Sequence, residues 1–175
     1  KRIAEANTLT VLEEEPLSYR ALRQRGLYYA TIGDTAKARE LISLSTRLSR
    51  RDSLGQLWLA EDYGRLGQLD KSLGAFDIVV RTQPDARETA YRMMGAALGN
   101  REFRQLFVKL ARTNPPWLPS FLAYNVGEAA RPSDLAEVIR TLQPLPAATL
   151  PARETNALLS RLVALAPIED ARALY

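Results

Sequence analysis

Residues 22–84 read LRQRGLYYATIGDTAKARELISLSTRLSRRDSLGQLWLAEDYGRLGQLDKSLGAFDIVVRTQP. One pattern occurs twice in this stretch. Tyr29 is matched by Tyr63, and Gly33 is matched by Gly67. Their common period of about 34 residues is typical of helix–turn–helix repeats, which bury their apolar faces by stacking on one another. The sequence therefore predicts consecutive helix pairs.

Small residues recur where two paired helices would cross. Gly26 and Ala60 occupy equivalent positions in the two copies, and Ala38 and Ser72 are their partners on the second helix of each pair. Only a small side chain fits where helix backbones approach closely, so these residues predict the crossing points. The glycine at position 33 supplies the backbone freedom for a tight turn, as does its counterpart in the second copy. The matched tyrosines are expected to fill the seam between helices.

The pattern resembles the tetratricopeptide repeat, whose consensus is W-x2-L-G-x2-Y…A-x3-F…P. Leu22 and Gln56 stand where the consensus has Trp, and Arg50 stands where it has Pro. The resemblance implies an all-α fold in which antiparallel helix pairs form a right-handed superhelical solenoid. The matching residues are Gly26, Tyr29 and Ala38 in the first copy, and Leu59, Tyr63, Phe76 and Pro84 in the second.

The rest of the chain is interpreted in the same register. The third repeat is degenerate, and its turn at Gly99-Asn100 is one residue shorter. Helices that follow the double proline are interpreted as divergent helical hairpins stacked on the solenoid. Caps are predicted at Asp34 or Thr35, at Asp52 or Ser53, and at Ser133 for one of the helices after the double proline. The predicted segments are 1–16 (the second helix of a truncated repeat), 17–50, 51–84 and 85–115 (the repeats within 17–115), and 116–175 (the hairpins).

A second resemblance extends over most of the chain. A short tetratricopeptide region followed by a Pro-Pro-Trp…Phe-Leu helical segment is similar to bacterial proteins from exopolysaccharide-type gene clusters. Here that segment consists of Pro115, Pro116, Trp117, Phe121 and Leu122. The resemblance implies an upstream membrane anchor outside these residues and a periplasmic location; a cytoplasmic location is the alternative. Because the chain begins in helix-like sequence without Met, we interpret it as part of a longer protein.

The composition argues against catalysis. The chain has no Cys and no His, so it lacks thiolate nucleophiles, Cys-based zinc sites and the usual general base at neutral pH. No Gly-rich phosphate loop is present. We therefore expect no enzyme activity, no cofactor and no metal ion.

A non-catalytic interaction module is the leading functional hypothesis. The resemblance implies a concave groove, lined by the first helix of each repeat, that binds a peptide or partner helix. Trp58 is the most informative position, as an anchor for a peptide or as packing against a neighbouring helix. The groove positions are Arg20, Arg23, Gln24 and Leu27 in the first repeat, Leu57, Trp58, Glu61 and Arg65 in the second, and Glu88, Tyr91 and Arg92 in the third.

Charge suggests an alternative. Residues 16–50 carry seven basic and two acidic side chains, whereas residues 51–84 carry four and five. Arginine-mediated binding of an anionic polymer, such as a polysaccharide, is therefore a second hypothesis. Nucleic acid is less favoured, because an Arg- and Ala-rich composition is typical of GC-rich bacterial genomes. A structural or oligomerisation spacer is a third hypothesis; neither the partner's identity nor an oligomeric state follows from the sequence.

Overall fold

The computed structural model describes residues 17–128, 131–143, 145–146 and 149–165. Throughout these residues the regular secondary structure is helical, which confirms the predicted all-α class. The predicted segment 1–16 lies outside the described residues, as does the part of segment 116–175 beyond residue 165.

Nine α-helices and one short 3-10 turn follow one another in the described residues. The first two helix pairs have the same lengths, and the second pair repeats the first at the period seen in the sequence. The helices are α1 Tyr19–Thr31, α2 Thr35–Leu48, α3 Ser53–Arg65, α4 Leu69–Thr82, α5 Arg87–Ala97, α6 Arg101–Ala111, α7 Leu118–Glu128, α8 Pro132–Leu142 and α9 Ala152–Leu165, with the 3-10 turn at Pro84–Ala86 between α4 and α5.

The chain divides into two compact units, Lys1–Ala86 and Arg87–Tyr175. In the first unit α1 packs closely on α2, α3 packs on α4, and α2 also contacts α3. The division falls after the second repeat, whereas the sequence predicted the boundary between the repeats and the divergent hairpins at residues 115–116. The third helix pair thus belongs to the same unit as the helices that follow it.

The turns that close the first two helix pairs are copies of one hydrogen-bonded motif. At the end of α1 the Asp34 amide donates to the Tyr29 carbonyl, and at the end of α3 the Gln68 amide donates to the Tyr63 carbonyl. Gly33 and its counterpart Gly67 have φ values of 86° and 71°. This left-handed conformation terminates each helix in a Schellman motif. Glycine adopts it with little strain, whereas residues with a Cβ atom do not. The predicted role of both glycines is confirmed.

The predicted close crossing of paired helices is also confirmed. A Cβ atom added to Gly26 would lie 2.5 Å from Ile42 Cγ1 and 3.1 Å from the Ala38 carbonyl oxygen. In the second pair the Ser72 hydroxyl donates to the Ala60 carbonyl at 2.7 Å. Even a methyl group at position 26 would displace Ile42, and at position 60 a side chain larger than the methyl group of Ala60 would push the helices apart.

Aspartates begin the second and third helices, as predicted. The Asp34 side chain accepts from the Lys37 amide, and the Asp52 side chain accepts from the Gly55 amide. The prediction that Ser133 caps α8 is wrong. Arg131 precedes the helix without a side-chain cap, and Pro132 occupies the first turn, where its fixed φ and missing amide hydrogen are tolerated.

The second unit is packed differently. Met94 takes the crossing position that Ala60 holds in the preceding repeat, and it is fully buried. In this unit α5 and α6 do not come as close as the paired helices of the first unit; instead α5 packs on α7, and α6 packs on α8. Gly95 permits the first of these contacts, because an added Cβ would collide with Asn125 Oδ1. The buried Asn125 amide donates to the carbonyls of Tyr91 and Phe121.

Aromatic rings form the centre of this second core. The ring centroids of Phe107 and Phe121 lie 4.8 Å apart, and Trp117 lies 6.0 Å from each of them. Tyr91 meets Phe121 edge to face at 5.7 Å. The Pro-Pro-Trp…Phe-Leu segment therefore supplies the core of the second unit, because its three large apolar side chains are buried.

Two glycines in the first unit provide a matched test of backbone conformation. We expect Gly67→Ala to lower the free energy of unfolding by about 1–2 kcal/mol, because alanine must adopt a positive φ. Gly74, within α4, has open space around its Cα, so Gly74→Ala is expected to raise it by up to about 1 kcal/mol. Urea titrations followed by circular dichroism measure both changes; the same sign for both substitutions would contradict this account.

A second glycine pair tests packing in the second unit. Gly95→Ala is expected to destabilise the protein by about 1–3 kcal/mol, because its methyl group would displace the buried Asn125. Gly127→Ala in α7 has nothing within 4 Å of the added Cβ and serves as the control. Thermal unfolding of the two variants should therefore differ clearly, with only Gly95→Ala lowering the midpoint.

Candidate functional site

Two buried carboxylates of the second repeat pair with arginines of the first repeat. The first is Asp52, at the start of α3. Its Oδ1 accepts from Arg23 Nη1 at 2.7 Å and from the Gly55 amide, and its Oδ2 accepts from the Ser45 hydroxyl at 2.5 Å. The Asp52 side chain is fully buried, and that of Arg23 is mostly covered. Arg23 of α1 therefore neutralises a charge inside the protein, which is a structural task.

The second buried carboxylate is Asp62, in the middle of α3. Arg39 of α2 donates to its Oδ2 at 2.5 Å, and Arg65 reaches its Oδ1 at 3.5 Å. The hydrogen bond to Asp62 raises the pKa of the Arg39 guanidinium, which is always charged in any case. Arg65 thus pairs with Asp62 on its own helix rather than with Glu61.

These pairs account for part of the charge difference between the two repeats. Arg23 and Arg39 belong to the basic first repeat, and their partners Asp52 and Asp62 belong to the acidic second repeat. The arginine excess is therefore partly internal pairing between repeats. Only the remaining exposed cations are available to an anionic partner, which weakens the anionic-polymer hypothesis.

The other first-unit candidates form two stripes, one on α1 and one on α3. On α1, Arg20 and Gln24 are exposed and Leu27 is half-buried. Their spacing of four and three residues places them on one side of that helix. Arg20 donates to the Tyr19 hydroxyl at 3.1 Å, and this hydrogen bond raises its pKa. The α1 stripe is therefore polar and positively charged at its first turn.

The stripe on α3 is more apolar. Trp58 and Leu57 are half-buried, while Glu61 and Arg65 are exposed. The Trp58 indole N–H donates no hydrogen bond to any residue that the structure describes. Buried indoles usually find such a partner, so the free N–H indicates that this edge of the ring is available to solvent or to a ligand.

Leu54 is a member of this stripe that the sequence interpretation missed. It lies one helical turn before Trp58, on the same side of α3, and is 58% exposed. In its own repeat it occupies the position that Arg20 holds in the first repeat. The sequence signal that could have identified Leu54 is its position one helical turn before Trp58, the predicted anchor. We call Arg20, Gln24, Leu54, Trp58 and Glu61 the α1/α3 surface.

The candidates from the third repeat lie in the second unit. Tyr91 is only 4% exposed and packs on Phe121. Burial raises the pKa of its phenol, while Arg87 and a hydrogen bond with Ser120 act in the opposite direction. Arg92 and Glu88 are exposed on α5. Tyr91 is thus part of a core, and its side chain offers no surface to a ligand.

Comparison with protein families, curated proteins and solved structures finds no significant match for this chain. Among the described residues, none of the helices combines the length and apolar character needed to cross a bilayer. In the same residues, no group of three or more acidic, His or Cys side chains is placed to hold a metal ion.

Two arginines on α1 test the difference between a residue that pairs with a buried charge and a residue on the surface. We expect Arg23→Ala to destabilise the protein by about 3–5 kcal/mol, because it leaves the Asp52 charge buried without its ionic partner. Arg20→Ala should leave stability nearly unchanged, because Arg20 is exposed and most exposed substitutions have small effects. Equal effects of the two substitutions on chemical denaturation would contradict the assignment.

Proposed function

We propose that this chain is a non-catalytic protein-interaction module of the tetratricopeptide type, built as a right-handed solenoid of helix pairs. The repetition of α1–α2 in α3–α4, with the same Schellman turn after α1 and α3, supports this proposal. Repeats of this kind present the first helix of each pair to a partner. In the first unit these are α1 and α3, the helices that carry the α1/α3 surface.

The observation that carries the proposal is the apolar pair on α3. Leu54 is largely exposed, and Trp58 follows it by one turn with an indole N–H unused by described residues. Single exposed leucines are common on protein surfaces. An exposed leucine next to a half-buried tryptophan is a typical anchor for a partner's apolar side chain, because Trp is enriched among residues that dominate binding energy.

The polar members of the surface define the partner more closely. Arg20 and Gln24 are exposed on α1, and Glu61 is exposed on α3 one turn after Trp58. We propose that the partner is a peptide segment or helix with an apolar side chain for Leu54 and Trp58 and a carboxylate for Arg20. Such pairing sets orientation and register more than affinity.

The biological setting is proposed from the second sequence resemblance. The Pro-Pro-Trp…Phe-Leu segment after the repeats supports a role in a bacterial envelope or polysaccharide-export assembly, with the module in the periplasm and an anchor elsewhere in the protein. There the module would hold assembly components together without catalysing a reaction.

Peptide selection followed by titration tests the α1/α3 surface. A phage-displayed library of random peptides is selected on the wild-type chain, and the best peptide is titrated by fluorescence anisotropy. We expect Trp58→Ala and Leu54→Ala each to weaken binding about tenfold or more, as truncation of anchor residues does. Leu66→Ala removes another exposed leucine of the same unit, 48% exposed, and should leave the affinity unchanged.

Circular dichroism establishes that each variant remains folded. The proposal fails if selected peptides bind all three variants like the wild type, because their binding would then not involve α3. It also fails if no peptide is enriched on the wild-type chain. Arg20→Glu should weaken the binding of peptides that contain Asp or Glu and leave the affinity of other peptides unchanged.

A further inference from the structure

The second unit contains a cavity that none of the preceding roles uses. Its volume is about 280 Å3, and it is lined by the first half of α7, by residues 149–151 and by the first turn of α9. Leu122, Ala123 and Leu150 contribute apolar walls. Pockets for drug-sized ligands measure roughly 300–1,000 Å3, so this cavity suits a smaller, side-chain-sized group.

One wall of the cavity carries an unpartnered carboxylate oxygen. Glu154 lines the cavity, and its Oε2 atom is buried without a hydrogen bond from any residue that the structure describes. Leaving a charged acceptor buried and unpaired is costly, and such groups are rare in folded proteins. The arrangement is therefore one that a cationic or N–H-bearing ligand would stabilise.

Two hydroxyl groups complete the polar part of the cavity. Ser120 on α7 and Thr149 line it together with Glu154. The oxygen of a Ser or Thr hydroxyl has two lone pairs and accepts hydrogen bonds even while its proton is donated.

We propose that this cavity binds a primary ammonium group on a short alkyl stem, with Glu154 as the anionic partner. An ammonium group has three donors and no acceptor, which matches three oxygen-bearing side chains on the lining. The stem would contact Leu122, Ala123 and Leu150. A free alkylamine and the lysine side chain of a partner protein present the same chemistry.

Titration of the full 175-residue chain with n-butylammonium, followed by amide NMR shifts, tests the proposal. We expect saturable shifts at Ser120, Ala123 and Leu150, and none with 1-butanol, which has the stem without the charge. Glu154→Gln should weaken the amine about tenfold or more, because it removes a charge-assisted hydrogen bond. Glu128→Gln removes an exposed carboxylate at the end of α7 and should leave binding unchanged.

Further ligands distinguish a free amine from a lysine side chain, and a second variant tests the cavity independently of Glu154. Tighter binding of Nα-acetyl-lysine amide than of n-butylammonium indicates a lysine side chain, whereas equal affinities indicate a free amine. A preference for n-butylguanidinium would overturn the ammonium assignment. Thr149→Val, which removes one of the three oxygens at an exposed position, provides a second variant and should also weaken the amine.

The stability of Glu154→Gln supplies an independent readout. Removing the charge of a carboxylate whose Oε2 atom is buried without a hydrogen bond should leave the thermal midpoint equal to or above that of the wild type. A lower midpoint, or failure to fold, would show that Glu154 is paired within the protein and would overturn the proposal. Absence of saturable amine binding, or equal binding by Glu154→Gln, would overturn it as well.

Discussion

The separation between paired helices is the constraint on which the rest of the first unit depends. Where Gly26 faces Ile42, and where Ala60 accepts a hydrogen bond from Ser72, the backbones come close enough that no larger side chain fits. This distance brings α1 against α2 and α3 against α4, and it leaves the opposite sides of α1 and α3 free to form a surface. Among its described residues, the second unit lacks this close pairing of consecutive helices, and there α5 packs on α7 and α6 packs on α8.

Much of this architecture follows from local sequence. A glycine that must adopt a positive φ, an aspartate that caps a helix and a small residue at a crossing are each required by the geometry of a few neighbouring atoms. The helix bounds of the first two pairs and the turns between them were therefore predictable. The Ser133 cap was mispredicted because Pro132 can occupy the first turn of α8 itself, so the helix begins two residues earlier than a Ser133 cap would allow.

The candidate site was less accessible from the sequence, because the role of an exposed-looking charge depends on distant residues. Arg23 matches a groove position of the resembled family, yet it pairs with Asp52, which follows it by 29 residues. Tyr91 stands on a first helix but is covered by α7, whose packing no local pattern reveals. Leu54 escaped notice for the opposite reason, since a leucine at helical spacing is usually assigned to a core.

The buried carboxylates also bear on how the first unit unfolds. In many repeat proteins adjacent repeats are coupled by apolar contact, and terminal repeats separate from the array first. Here Asp52 and Asp62 of one repeat draw their cations from the other. If either repeat opened alone, Arg23 and Arg39 would separate from the two aspartates, and the separated charges would have to be hydrated. The two helix pairs should consequently lose structure in a single cooperative transition, with little sensitivity to salt because the pairs are shielded from mobile ions.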